Sequence, residues 1–371
     1  MTNLTAVRGE RAENDSAGVV VALEALSAGR PVVFVDEGSD CGYLAQPAAV
    51  ASVDFVVLAA THGTGTLRVA AGADRLDALG VPTFGDGGQR VPVDLAGGGP
   101  GGLHDHRAAT IRALADPATQ PADLVAPGHV FPEVAGECRS LESGCPARAM
   151  LDAVRLAGHE PLVAYTQLVD EQGHTADRMA TARLARRLGL VSVSIRDALI
   201  RREQLDPAAE RIVNTTIPTP EGRFDAVGFR GLRSGEEYVA FVAGPVSDGV
   251  RVHVHRRCMI SDVFGGVACG CGEALRAALA EIRHSGSGVV IYRHGADEAP
   301  CVGEHEARRE AGWAKTVEVA AVVRDLGARR VFLSATEIFD HDVLRALGLE
   351  AQHASGDDWF RIAPAQRAAG L

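Results

Sequence analysis

The sequence predicts a two-domain protein of α/β to α+β class, and three observations predict it. Its 371 residues are more than one core ordinarily serves. Over the first two hundred residues, short apolar runs of strand type alternate with amphipathic helical runs. Past a break of charge, proline and alanine at 202–213 (REQLDPAAERIV), period-two strands come first and helices later. The domains expected are 18–203 and 214–371, behind a loose polar segment, 1–17.

The first domain opens with VVVALEALSAGRPVVFVDE (19–37), which reads as helix, Gly-Arg-Pro turn and buried strand. Gly-rich loops are expected at 62–66 and 85–102. HRAATIRALADPATQPADLV (106–125) is helical at its start and runs into a loop, APGHVFP (126–132). ARAMLDAVRLA (147–157) is a helix ended by Gly158, followed by the strand PLVAYTQLV, the helix ADRMATARLARRLGL and the strand LVSVSI. In the second domain VNTTIPT, GRFDAVGF and EYVAFVAG alternate as antiparallel strands do. A cysteine-bearing window follows, then the helix GEALRAALAEIRHSG, the strand GVVIYR, an acidic loop, the helix KTVEVAAVVRDLG and the strand RRVFLS.

A net charge of -11 argues against broad binding to nucleic acid or an anionic membrane, while leaving room for a local basic pocket that takes a small anionic ligand. No stretch approaches the ~20 apolar residues of a membrane span. The N-terminus lacks a signal peptide's basic and apolar regions, and seven cysteines in a long chain do not resemble a secreted disulfide framework. A cytoplasmic protein is expected.

Three of those cysteines crowd into RRCMISDVFGGVACGCGEAL (256–275). Cys258, Cys269 and Cys271 follow a C-x10-C-x-C spacing, and the C-x-C pair sets two thiolates at one chain reversal. Zinc favours such soft donors. The alternative is three small buried hydrophobes, a common fate of cysteine.

The run CMISDVFGGVACGCG (258–272) resembles the zinc site of GTP cyclohydrolase II, C-x-T-G-D-x-x-x-S-x-x-C-x-C-G, with all three cysteines, Asp262 and Gly272 in place. IPTPEGRF (217–224), GVVIYR (288–293) and VVRDLGARRVFLS (322–334) extend the resemblance. Upstream, ALEALSAGRPVVFVDE, TIRALADPATQPADLVAPGHVFP and LDAVRLAGHEP look like 3,4-dihydroxy-2-butanone 4-phosphate synthase. The two are fused in this order in the bifunctional riboflavin-biosynthesis family. The resemblance implies that family's two-domain fold, one zinc ion held by Cys258, Cys269 and Cys271, and a homodimer.

The resemblance also shows where the chain departs from its family. The synthase binds magnesium through a run resembling D-R-E-N-E-G-D and a histidine in a G-H-T motif. Here DEGSDCGYL (36–44) puts Cys41-Gly42-Tyr43 at Glu-Gly-Asp, and Gly144-Cys145-Pro146-Ala147 replaces G-H-T, so the magnesium site is expected to be lost. His129 of PGHVFP survives, as a structural loop residue or a base. In the cyclohydrolase half, Trp313 and Ala314 stand where an acid and an arginine are sought, and the acidic RHGADEAPCV (293–302) replaces a phosphate-binding R-Q-E-G-R-G-I-G-L. SATEIF (334–339) lacks the asparagine and lysine of T-N-N-P-x-K. HVHRRC (253–258), in place of R-V-H-S-E-C, adds His253, Arg256 and Arg257.

Several replacements could carry chemistry of their own. His104 and His106 flank Asp105 in LHDHR (103–107), and a His-x-His pair can bind metal or shuttle protons. Cys41 and Cys145 could form a remade thiol site. His255, Arg256 and Arg257 are candidates to hold an anionic ligand, and His294, Cys301 or His305 to complete a zinc site. Two functions stay open: a zinc enzyme with altered chemistry on a nucleotide-like or sugar-phosphate-like substrate, or a non-catalytic scaffold, stabilised by zinc, that binds a nucleotide or a riboflavin-pathway enzyme. Residual cyclohydrolase activity is a third.

Overall fold

Near-continuous burial along VVFVD, where Val33 faces one side and Phe34 the other, already implies a strand covered on both faces. The computed structural model describes residues 18–85, 88–97, 99, 101–136, 146–267, 269–295, 312–335 and 339–353. It divides into two units, Met1–Leu205 and Asp206–Leu371. Among the described residues no helix is long and apolar enough to cross a membrane.

The strands of the first unit are β1 (Val32–Asp36), β2 (Cys41–Pro47), β3 (Leu67–Ala71), β4 (Val93–Leu95), β5 (Leu124–Val134), β6 (Val163–Gln167) and β7 (Ser192–Ser194). Its helices are α1 (18–27), α2 (Val53–His62), α3 (Ala73–Ala78), α4 (His104–Ala115), α5 (Pro146–Leu156), α6 (Arg178–Leu188) and α7 (Ile195–Leu205). The strands form one mixed sheet in the order β4-β5-β3-β6-β2-β1-β7. On one face Val33, Leu44, Val69 and Ala164 pack against Phe55 of α2, Ile111 of α4 and Leu184 of α6. On the other, Phe34 meets Leu26 of α1, Ala153 of α5 and Ala198 of α7.

APGHVFP, expected as a loop, is strand. β5 runs through it, parallel to β3 on one side and antiparallel to β4 on the other. Its proline and glycine are loop punctuation in isolation, but here Gly128 lets a neighbouring backbone come close: a Cβ would lie 2.0 Å from the Val93 carbonyl carbon.

The second unit contains β8 (Ala209–Thr219), β9 (Gly222–Gly231), β10 (Glu237–Ala243), β11 (Val250–Arg256), α8 (Cys271–Ser285), β12 (Gly288–His294), α9 (Trp313–Asp325), β13 (Arg330–Ala335), α10 (His341–Ala346) and β14 (Glu350–His353). The sheet order is β14-β13-β11-β12-β10-β9-β8. β8, β9, β10 and β12 pair antiparallel, as the alternation of the first three predicts, and β11, β12, β13 and β14 join in parallel. Phe224, Val290, Ala278 and Ile282 are core between this sheet and α8.

The break expected at 202–213 is shorter than its composition suggests. α7 extends to Leu205 and β8 starts at Ala209. Glu210 and Arg211 belong to an exposed edge strand, where charge is tolerated because one side meets water.

Candidate functional site

The cysteine window is built where β11 runs out. Cys258 follows it, one wide helical turn covers Met259–Val263, and Gly265, at φ 65°, lets the chain double back. Cys269 and Cys271 arrive on the return, and α8 starts on Cys271 with Glu273 in its first turn. Ser261 fastens the two arms, its Oγ accepting the Gly272 N–H at 2.9 Å.

The three Sγ atoms lie within 4.8 Å of one another, with Cys258 and Cys269 3.6 Å apart. A tetrahedral ion with metal–sulfur bonds of ~2.3 Å separates its sulfurs by about 3.8 Å, so the donor set fits a metal ion. Cys258 and Cys269 are buried and Cys271 is half-buried. Burial and the adjacent Cys269 thiol push the Cys258 thiol up, a balance that a bound cation reverses. Among the described residues no fourth His, Cys, Asp or Glu joins this cluster.

A buried carboxylate backs the loop. Asp262 Oδ2 accepts from the Cys258 N–H at 2.7 Å and the Tyr292 O–H at 3.0 Å, and lies 3.2 Å from His255 Nε2. The His255 ring stacks on Tyr292 with centroids 5.6 Å apart. Burial alone would raise the Asp262 pKa, but hydrogen bonds from His255, the Cys258 amide and Tyr292 outweigh it and hold the carboxyl below its ordinary value. Burial and that same charge raise the Tyr292 phenol.

His255, Arg256 and Arg257 do not converge on one point. His255 is fully buried and turned onto Asp262, while Arg257 Nη1 meets His294 Nε2. Arg256 closes β11, half-buried. His253 Nδ1 lies 3.1 Å from Ser334 Oγ. His294 is exposed and stands apart from the cysteine cluster. Cys301 and His305 lie outside the described residues. Trp313, first residue of α9, is buried.

In the first unit the expected His104/His106 pair does not form around Asp105. Both belong to α4, where residues two apart point away from each other; His104 is exposed and His106 buried. His129 sits on β5 with Nδ1 2.7 Å from Asp94 Oδ2, and its backbone N–H donates to Asp94 Oδ1 at 3.0 Å. Cys145 lies outside the described residues. Cys41 is buried on β2, its Sγ donating to Tyr43 Oη at 3.4 Å.

Three further residues, not singled out in the sequence, share that face. Arg68 Nη1 donates to Glu133 Oε2 at 2.7 Å, and the Tyr165 O–H donates to Glu133 Oε1. The one available signal was a lone charge inside each apolar strand, LRVAA and VFPEV.

Residues 21–201 match the 3,4-dihydroxy-2-butanone 4-phosphate synthase family, and residues 210–353 match GTP cyclohydrolase II. The riboflavin biosynthesis protein RibBA of Salinispora arenicola is 34% identical over 286 residues, covering 74% of this chain and 68% of that protein. The chain belongs to the bifunctional riboflavin-biosynthesis family. The chloroplastic bifunctional riboflavin biosynthesis protein RIBA 1 of Arabidopsis thaliana is 30% identical, over 88% of this chain and 66% of its own length. Among solved structures RibBX of A. baumannii, a two-domain 3,4-dihydroxy-2-butanone 4-phosphate synthase, aligns with a TM-score of 0.71 at 22% identity, covering 90% of this chain and 98% of its own. That likeness bears on the fold.

Proposed function

We propose that this family member has kept the metal centre of its second unit, given up both parental reactions, and acts on another small anionic substrate, nucleotide-like or sugar-phosphate-like. The reading is carried by the donor set: three converging thiols, one of them half-exposed, with no fourth protein ligand among the described residues. Zinc suits these donors, and three protein ligands with one open position is the arrangement of a catalytic rather than a structural site. Bound there, zinc would supply Lewis acidity toward a polarised carbon or phosphoryl group. The protein's own part is to hold Cys258 in place through Asp262 and to offer Arg257 at the rim to an anion.

The loss of the parental reactions rests on what replaced the family's residues. Trp313 is packed at 4% exposure, and Ala314 carries no functional group, so the start of α9 supplies neither an acid nor an arginine. In the first unit Cys41 and Tyr43 stand where the family sets magnesium-binding carboxylates, and neither a buried thiol nor a phenol whose pKa burial raises is a ligand for that hard ion. A cytoplasmic homodimer completes the proposal, on family resemblance.

Metal analysis and formate assays of the purified protein test it together. About one zinc per chain is expected, with no formate released from GTP or from ribulose 5-phosphate plus magnesium. Formate from either substrate overturns the loss of the corresponding reaction, and a metal-free protein overturns the centre. The burial of Trp313 favours a second reading, a non-catalytic scaffold with structural zinc. The cobalt-substituted protein separates the two: its visible spectrum should shift with added azide if a position is open, and stay unchanged if the scaffold reading holds.

A further inference from the structure

Four adjacent strands of the first unit, β5, β3, β6 and β2, carry a continuous row of polar side chains on one face. Arg68 stands opposite Tyr165 across β3 and β6, and Tyr43 stands opposite Gln167 across β2 and β6. Tyr165 and Gln167 are two residues apart on one strand and therefore share that face. The Tyr43 and Tyr165 rings meet edge to face with centroids 6.0 Å apart. Directly opposed residues sit about 5 Å apart and diagonal ones about 7 Å, so Arg68, Tyr165, Gln167 and Tyr43 bound a patch the size of a small metabolite.

The hydrogen-bonding capacity of this row is lopsided. Each oxygen of Glu133 accepts a hydrogen bond, one from Arg68 and one from Tyr165, so Glu133 anchors the guanidinium. Arg68 uses one N–H there; its other donors find no protein partner among the described residues, and its side chain is 35% exposed. Tyr43 Oη accepts from the Cys41 thiol, which leaves its own proton for something else. Burial raises that phenol's pKa, so the proton stays. Gln167 is half-buried and adds an amide. Asp36 is the carboxylate left over, with one buried oxygen unpartnered, but it lies on β1, beyond β2 and away from Arg68.

We propose that this face is a metal-independent site for a small oxyanion, phosphate or carboxylate, held by Arg68 with Tyr43 and Gln167 as flanking donors. A planar guanidinium with one edge committed to a carboxylate still offers an edge to a second oxyanion. Glu133 then has two effects: it fixes the guanidinium, and it competes with the ligand for it. The inference does not depend on the metal centre of the second unit.

Calorimetric titration of the full chain in excess EDTA, with inorganic phosphate and separately with acetate, tests the site. Saturable binding of at least one probe is expected, unchanged by magnesium, and the preferred probe distinguishes phosphate from carboxylate ligands. Arg68→Gln should weaken that binding at least tenfold while circular dichroism shows a folded chain. Glu133→Gln should tighten it several-fold, because the competing charge is gone while Tyr165 can still donate. That gain is the readout a purely structural ion pair would not produce. Absence of saturable binding to both wild type and Glu133→Gln, binding that requires magnesium, or equal affinity in Arg68→Gln would each overturn the proposal.

Discussion

Asp262 collects a backbone amide, a phenol and an imidazole on one buried carboxylate, and the amide belongs to Cys258. A group that orients a metal ligand acts on the metal through geometry, and removing such a partner typically costs 10–100-fold in metal affinity. Asp262→Asn keeps the size but loses the charge and one acceptor oxygen. Zinc loaded onto the variant should pass to a chromophoric chelator at a free-metal concentration at least ten times higher than zinc-loaded wild type requires; equal retention would show that the cysteines set their own geometry. The same residue fixes an acid dependence. Its pKa is depressed in the folded protein from an ordinary 3.8, so the stability it contributes is present above the unfolded value and lost as pH falls through the folded one. Denaturant midpoints of the second unit should therefore fall below about pH 4 more steeply in wild type than in Asp262→Asn.

β5 shows what a single strand can hide. Its Pro-Gly pair reads as a turn, yet Gly128 is there because the backbone of β4 passes where a side chain would project. Gly128→Ala forces those strands apart, and overpacking of this kind costs about 1–3 kcal/mol. A urea midpoint for the first unit that matched wild type would mean that the β4–β5 edge yields freely. β2 was hidden for a related reason: Cys41, Gly42 and Tyr43 look like a degraded acidic loop, and only pairing with β1 and β6 makes them strand. By contrast β8, β9 and β10 were legible, because alternation of polar and apolar residues is a local property. The convergence of the three cysteines was legible as well, since they lie within fourteen residues along one loop. The Arg68–Glu133–Tyr165 row was not. Its members come from three strands far apart in sequence, and no local pattern announces that they meet.

At the scale of the whole chain, the cysteine cluster lies inside one of two units that each possess a sheet and a core. A metal ion held by the folded second unit alone adds its binding free energy to the stability of that unit, about 4 kcal/mol when the free ion stands a thousandfold above its Kd. The first unit carries no such linkage to this ion. Heating the wild-type protein with and without a strong chelator should therefore lower the transition of residues 206–371 by many degrees and leave that of residues 1–205 in place, and limited proteolysis of the chelated protein should spare the first unit. Cys269→Ser should reproduce the effect without chelator, since two thiols in place of three hold the ion less tightly. An aerobic control with reductant is required, because Cys258 and Cys269, 3.6 Å apart, could oxidise to a disulfide once the metal leaves and restore part of the lost stability. If both transitions ignore the chelator and Cys269→Ser melts with wild type, the three cysteines are packing residues, and the second unit stands by the apolar contacts of α8 with its sheet.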